Sequence, residues 1–437
     1  MLGLVSLSLA SAWAAPAVAL PSFAQQTGEP CSRCHVGAYG PQLKQYGRDF
    51  KLFGYAAGDG ANQLPPVALA AIASYTATRA DRPAQRHFGP NDNTAFQSAI
   101  LAYAGRLWGG AGAFAEAFYD GVHQKISLSR VDVRRTFTGT VAGHDAVWGV
   151  DANNRPGVQD IWNSSPVFEF SAFSSPFAAT PQVSPLVDGR LAQRVVGAGG
   201  YAMWDDTLYT EAAFYQPIDK VFLNRVGVTT AANADRYSGV QPYWRVAVQH
   251  EFAETHYIEL GAYGLAARRF PSGVRSAGED KLTDLGLDAT YQYIGGKRHY
   301  LASHLTWIRE DARLDASRQL VGARGSDRLD SYRADAIYSL DDTWTSAAEV
   351  FRTTGDRDPK FFRTPGGSPD STGYVVEVGY TPWGKKGSPV NWANLRLTAR
   401  WVGYTRFNGQ SAGASANDTL FLGVNMAVAP LGGLVKR

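Results

Sequence analysis

From about residue 66 the chain repeats one unit, a run of roughly ten alternating residues followed by a turn. In "LTDLGLDATYQY" one face carries Leu285, Leu287, Ala289, Tyr291 and Tyr293. The other carries Asp284, Gly286, Asp288, Thr290 and Gln292. "NLRLTARW" separates Leu395, Leu397, Ala399 and Trp401 from Arg396, Thr398 and Arg400. "SYRADAIYSL" and "GYVVEVGY" behave likewise. A period of two is the mark of a strand, and about ten residues is the length of a tilted strand that crosses a bilayer.

The pattern predicts about 16 strands. They begin near residues 66, 94, 111, 126, 143, 190, 206, 241, 255, 280, 297, 329, 341, 371, 390 and 418. Tight turns fall at "WGGA", "WDDT", "FAET", "IGGK" and "LDDT". Long loops fall near 81–93, 154–189, 217–240, 268–279, 310–328, 355–370 and 407–417. Short turns alternating with long loops point to an outer-membrane barrel with its turns in the periplasm. Trp108, Trp204, Tyr243, Trp244, Trp344 and Trp383 cluster at strand ends, as aromatic girdles require. A soluble β-sandwich explains the alternation but neither the turn asymmetry nor the girdles. The last strand is expected at "DTLFLGVNMAV", followed by a short tail rather than a terminal aromatic residue.

Composition agrees. Aromatic residues make up 12% and there are 46 glycines, which suits many strands and tight turns. The net charge of +3, without a basic cluster, gives no reason to expect nucleic acid as a partner. Residues 1–19, "LGLVSLSLASAWAAPAVA" after Met1, read as a signal peptide cleaved after Ala19, with Ala14 as a second option. The usual positive charge ahead of the apolar run is missing, so the reading frame is expected to start a few codons earlier. No later run reaches the roughly 18 apolar residues of a transmembrane helix, so any spanning structure must be a closed barrel.

The segment ahead of the barrel carries different chemistry. Both cysteines lie in "GEPCSRCHVGAYG", residues 28–40. In Cys-x-x-Cys-His, the thiols of Cys31 and Cys34 add across the two vinyl groups of haem and His35 becomes an axial ligand of its iron. A zinc site would need further thiolates or clustered histidines, and a thioredoxin-type pair a βαβ context. The following "GPQLKQYGRDFKLFGY" predicts a helix opened by Pro41 and closed by Gly54, with Leu43, Tyr46, Phe50 and Phe53 on one face. Residues 20–55 thus read as a small monohaem cytochrome c plug, 56–65 as a linker, and 66–437 as the barrel.

The predicted inward faces carry Glu116, Asp120, Arg130, Asp132, Arg134, Asp284, Asp288, Arg333, Asp335, Glu377, Arg396 and Arg400. They could line an aqueous path for Fe²⁺ or set a haem potential. The blander and favoured reading for most is that they pair with one another and with the plug. A sixth iron ligand must come from the barrel or be absent, because the plug holds no Met and no His beside His35. Met203, Met426, His144, His250 and His256 fall on outward faces, and His87 and His123 in external loops. His304 shares a face with Tyr300, Ala302 and Thr306 and is the candidate ligand. An open or water-bound position is the equal alternative.

The chain resembles the fused outer-membrane monohaem cytochrome c–porin family of iron-oxidising bacteria. The likeness spans nearly the whole chain. It is carried by "LPSFAQQTG" before "CSRCH", by "GPQLKQYGRDFKLFGY", by "AFYDG" (117–121) and "VDVR" (131–134), by "ANNRPGVQDIWNSSP" (152–166), and by "SPLVDGRLAQRVVGAGGYAMWDDTLYTEAAFY" (184–215). The family usually shows Arg where Gln25 stands, which bears on plug contacts or haem tuning but not on attachment. The resemblance implies one covalent haem c in a plug within the barrel, extracellular Fe(II) as donor and a periplasmic cytochrome as acceptor. That is an iron(II):cytochrome c oxidoreductase of a Gram-negative outer membrane. Three other readings stay open: a porin gated by its haem plug, a conduit for a donor other than iron, and a haem enzyme such as a peroxidase, which would need a distal acid–base residue.

Overall fold

A computed structural model describes residues 19–58, 65–168, 175–228, 234–296 and 298–431. The expected signal peptide, apart from Ala19, and most of the expected linker lie outside the described residues. Seventeen strands form one antiparallel sheet. They are β1 (Val67–Thr78), β2 (Asn93–Trp108), β3 (Ala111–Asp120), β4 (Lys125–Val141), β5 (His144–Asn153), β6 (Val195–Trp204), β7 (Leu208–Pro217), β8 (Arg236–Ser238) and β9 (Gln241–Phe252). Then come β10 (His256–Phe270), β11 (Asp280–Gly295), β12 (His299–Arg313), β13 (Ser326–Leu340), β14 (Trp344–Gly355), β15 (Ser371–Tyr380), β16 (Ala393–Arg406) and β17 (Thr419–Val428).

Strand β1 pairs with both β2 and β17, so the sheet closes on itself and leaves no edge. The short β8 extends the sheet by pairing with the end of β10, while β7 pairs directly with β9. Sixteen strands therefore make the wall, as the alternation predicts. The faces follow the pattern too. Asp284, Asp288, Thr290 and Gln292 are buried inward, whereas Leu285, Leu287, Val376, Val378, Leu422 and Val424 are exposed outward. Several turns between the wall strands hold consecutive residues at positive φ, at Ala142–Gly143, Asp205–Asp206 and Asp341–Asp342. Gly and Asp tolerate that backbone, which matches the twist of the flanking strands.

Four expectations need correction. The segment 154–189 was expected as an external loop, but its described residues fold into the lumen, with Gln159 and Asp160 fully buried. Met203 was expected to face lipid; it is 3% exposed and packs inside with Tyr209 and Leu52. Its strand, "VVGAGGYAMW", begins only at Val195 and is too rich in Gly and Ala for its alternation to fix a face. Tyr243, assigned to a girdle, also points inward at 1% exposure, while Trp108, Trp244 and Trp344 are exposed as expected. The plug helix starts at Gln45 rather than Pro41, because residues 41–44 make a bridge to the haem-motif segment: His35 pairs with Leu43, and the Lys44 amide donates to the Cys34 carbonyl at 2.8 Å. Phe53 then leaves the apolar face and is exposed, while Gly54 closes the helix at φ 67° as predicted.

A charge placed on the lipid face should cost according to depth. Leu422→Arg, mid-wall and outward, is expected to lower folding free energy in lipid vesicles by about 2–4 kcal/mol. Thr283→Arg, near the extracellular end of β11, should cost about 0–1 kcal/mol. Urea titration followed by tryptophan fluorescence measures both.

Candidate functional site

Three short helices build the plug: α1 (Pro21–Thr27), α2 (Cys31–Cys34) and α3 (Gln45–Leu52). The Cys-x-x-Cys stretch is one helical turn, closed where the His35 amide donates to the Cys31 carbonyl at 2.9 Å. Helix α3 packs against this turn so closely that a Cβ on Gly47 would lie 2.5 Å from the Cys34 carbonyl oxygen. Only glycine permits that approach. Phe23 of α1 meets Phe50 of α3 edge-on at 5.0 Å, stacks on Tyr55 at 5.8 Å, and faces Phe114 of the barrel wall at 6.1 Å.

The plug lies in the lumen at the short-turn end. The Arg106 amide donates to Gln26 Oε1 at 2.7 Å, the Ser32 amide to the Gly384 carbonyl at 2.8 Å, and Lys44 pairs with Asp342 at 2.7 Å. Asn394 Nδ2 reaches the Ala38 carbonyl at 2.8 Å, and Tyr201 Oη the Leu52 carbonyl at 3.0 Å. Strands around the whole circumference thus hold it.

From the other end comes the long 154–194 segment. Arg245 fixes it to the wall: its guanidinium binds Glu259 and Asp288 at 2.8 Å each and Ser164 Oγ at 3.2 Å. Further along, the Leu186 and Val187 amides donate to Glu310 and Asp284 at 2.8 and 2.6 Å, and Asp188 pairs with Arg333. Segment and plug meet inside. Asn163 Nδ2 donates to the Pro41 carbonyl at 2.8 Å, and Lys51 Nζ donates to Asn163 Oδ1 at 2.6 Å and to the Asp160 carbonyl. Arg134, 1% exposed, ties all three parts. It binds Asp132 on its own strand at 2.8 Å and donates to the carbonyls of Val158 (2.9 Å), Gln159 (3.1 Å) and Lys51 (3.4 Å).

Where plug, wall and segment join there is a cavity of about 870 Å³ of empty space, part of it open at the mouth. Cys31, Cys34 and His35 all line it. Its walls are mostly apolar, with Leu20, Phe23, Phe50, Phe114, Val158 and Phe168, and two basic side chains, Lys51 and Arg130, reach it. The two thiols are not bonded to each other, and burial pushes each to a pKa of about 12. Burial also pulls His35 down to about 4, an effect that the Gly40 backbone only partly offsets, so the imidazole is neutral at any physiological pH. Its Nδ1 is buried without a hydrogen-bond partner. Neutral imidazole with an unpartnered nitrogen is the state that binds a metal. Lys51 falls well below its ordinary pKa, from burial first and then from Arg134. A carboxylate beside it would restore its charge. Among the described residues, no group of three or more His, Cys, Asp or Glu is placed to hold a bare metal ion. The donor set and the cavity fit a covalently attached haem.

His304 faces inward as expected, but its Nδ1 is bonded to Asp335 at 2.8 Å and it does not line the cavity. Among the described residues no second His and no Met does so either. The inward charges mostly pair, as favoured: Arg396 and Arg400 both hold Glu377, and Arg134 holds Asp132. The sequence reading missed Arg245, Glu211, Glu259 and Glu349 on inward faces and the cavity contributions of Val158, Asn163 and Phe168. Strand alternation could have found the first four. The last three had only the unusual length of their loop as a signal.

No protein-family model matches the chain, and no curated protein does. Among solved structures, it is similar to OprB of Pseudomonas putida, with 11% identity over 83% of this chain and 93% of that one, at a TM-score of 0.51. Salmonella typhi OmpF, solved in complex with daunomycin, matches at 14% identity, 83% and 96% coverage and a TM-score of 0.48. An anion-selective porin from Comamonas acidovorans matches at 11% identity, 83% and 98% coverage, with a TM-score of 0.42. The fold is that of an outer-membrane porin. The closed sheet and lipid-facing apolar band place this porin-like barrel in the outer membrane of a Gram-negative bacterium.

Gly47→Ala should force α3 off the Cys34 carbonyl; limited proteolysis is expected to cut the plug while the barrel stays intact. Arg134→Met leaves Asp132 buried with Tyr55 alone and should cost about 3–5 kcal/mol, with hydrogen exchange rising in both the plug and residues 154–168.

Proposed function

We propose that the protein is an outer-membrane c-type cytochrome that passes electrons from an extracellular donor, ferrous iron foremost, to a periplasmic cytochrome. The observation that carries the reading is that Cys31, Cys34 and His35 converge on one cavity made jointly by plug, wall and infolded segment. Haem bound there supplies an iron that changes by one electron. The chain does the rest. Cys31 and Cys34 anchor, and His35 offers a neutral ring nitrogen. Phe23, Phe50, Phe114 and Phe168 keep water from the cavity, while Lys51 and Arg130 are cationic partners for the carboxylates of haem. The short-turn end of the barrel brings the plug to the periplasm, where an acceptor docks. Each ferrous ion gives up one electron outside and its ferric product stays outside.

The main alternative, a porin gated by its plug, is disfavoured by how the lumen is filled. A gate must let go, yet the plug and the infolded segment share buried bonds at Lys51, Asn163 and Arg134. A peroxidase would need a distal acid–base His, and among the described residues His35 is the only His on the cavity wall. A conduit for another donor shares every feature and is separated only by experiment. The sixth iron position is read as open or water-bound rather than filled by His304.

The test is to reconstitute the haem-loaded protein in liposomes, add Fe²⁺ outside and follow the haem absorbance. Fast reduction is expected, with no covalent haem after denaturation in Cys31→Ser/Cys34→Ser and an unchanged spectrum in His304→Ala. Reduction by dithionite but not by Fe²⁺ would mean a different donor, and absence of covalent haem in the wild type would overturn the reading altogether.

A further inference from the structure

The outer wall carries a second hollow, unrelated to the plug. Strand register lines up Trp307, Tyr332 and Arg352 in one outward row across β12, β13 and β14, and Leu305, Ala334 and Val350 in the next row toward the periplasm. Ala334 is short between two tall neighbours, so the lower row dips at its centre. The result is a hollow of about 1200 Å³ of empty space, open on its lipid side and lined by these side chains. Leu305 and Val350 are 58% and 59% exposed, so the hollow opens to lipid.

Arg352 is the unexpected member. It follows Trp344, the girdle residue at the foot of β14, by eight positions. At about 3.3 Å per residue and a tilt of some 40°, it stands roughly 20 Å up, near the extracellular side of the apolar band. The other outward arginines of this face are paired, Arg309 with Asp330 and Arg328 with Asp311, both at 3.0 Å. Among the described residues Arg352 has no carboxylate within ion-pair distance. An arginine that faces lipid without a counter-charge is costly unless a headgroup anion meets it. Trp307 and Tyr332 beside it are the amphipathic rings expected at headgroup level.

We propose that this hollow binds one phosphorylated glycolipid of the outer leaflet, of the lipid A class. Its phosphate lies on Arg352 and one acyl chain runs down over Ala334 between Leu305 and Val350. The anion matches the lone cation, and the apolar floor continues toward the bilayer centre, as an acyl chain requires. A free phosphate would leave that floor uncovered.

Native mass spectrometry of the full-length protein in detergent, titrated with lipid A, tests this. One bound copy is expected. Arg352→Gln and Ala334→Phe should each weaken it at least tenfold, the first by removing the charge and the second by filling the floor. Heat-modifiable migration on gels confirms that both variants fold. Dephosphorylated lipid A should bind as weakly to wild type as lipid A binds to Arg352→Gln. Equal binding by both variants and the wild type would overturn the site. Equal binding of phosphatidylglycerol and lipid A, or of inorganic phosphate alone, would overturn the assignment to a glycolipid.

Discussion

The structure depends on one buried guanidinium. Arg134 projects from the wall into the lumen, is neutralised by Asp132 beside it, and has enough donors left to bind carbonyls of both the plug and the infolded segment. Only arginine offers a rigid fork of five donors with a fixed charge. A barrel of sixteen strands encloses more space than its own side chains fill. What occupies that space must be attached by polar contacts, because the lumen wall is polar. Arg134, with Arg245 farther up, turns a polar lining into a scaffold for two inserts. Tyr55 completes the arrangement by donating to Asp132 at 2.6 Å, so plug, wall and segment share one network.

Such a network accounts for many of the ionisable residues that face inward. Glu377 is held by two arginines, Asp188 by Arg333, and Asp160 by the amides of Trp162, Ser164 and Ser165. Asp160 stays below its ordinary range although burial pushes upward, because Arg245 and the Ser165 and Trp162 amides help to hold its charge. Charges committed in this way fix parts in place.

The wall was legible from sequence because a barrel strand writes its two environments into alternate positions. Sixteen of the strands, nearly all to within a few residues, follow from that rule, and so does the inward set from Glu116 to Arg400. Legibility failed where the rule has nothing to act on. In β6, glycine and alanine carry no preference, so Met203 and Tyr201 were placed by register with β5 and β7 alone. Tyr243 was misread because a tyrosine at a strand end suits a girdle or a lumen equally. The infolding of 154–194 depends on partners 80 or more residues away, such as Arg245 and Asp288, which no local pattern encodes. The cavity was half legible. Cys31, Cys34 and His35 announce themselves by spacing, whereas Val158, Asn163 and Phe168 reach it only through that fold.

The position of the plug along the barrel bears on how an electron would cross. All the plug anchors at turns, Arg106, Asp342 and Gly384, lie at the short-turn end, so on the proposed reading the cofactor stands close to the periplasm and exit is direct. The distance still to be bridged is then the extracellular half of an apolar band about 25 Å tall. That half holds the infolded segment and a group of fully buried aromatic side chains, among them Tyr215 and Tyr243. A donor in solution would therefore meet protein rather than an open pore. On the proposed reading its electron would have to pass through the packed, described parts of the segment, residues 154–168 and 175–194.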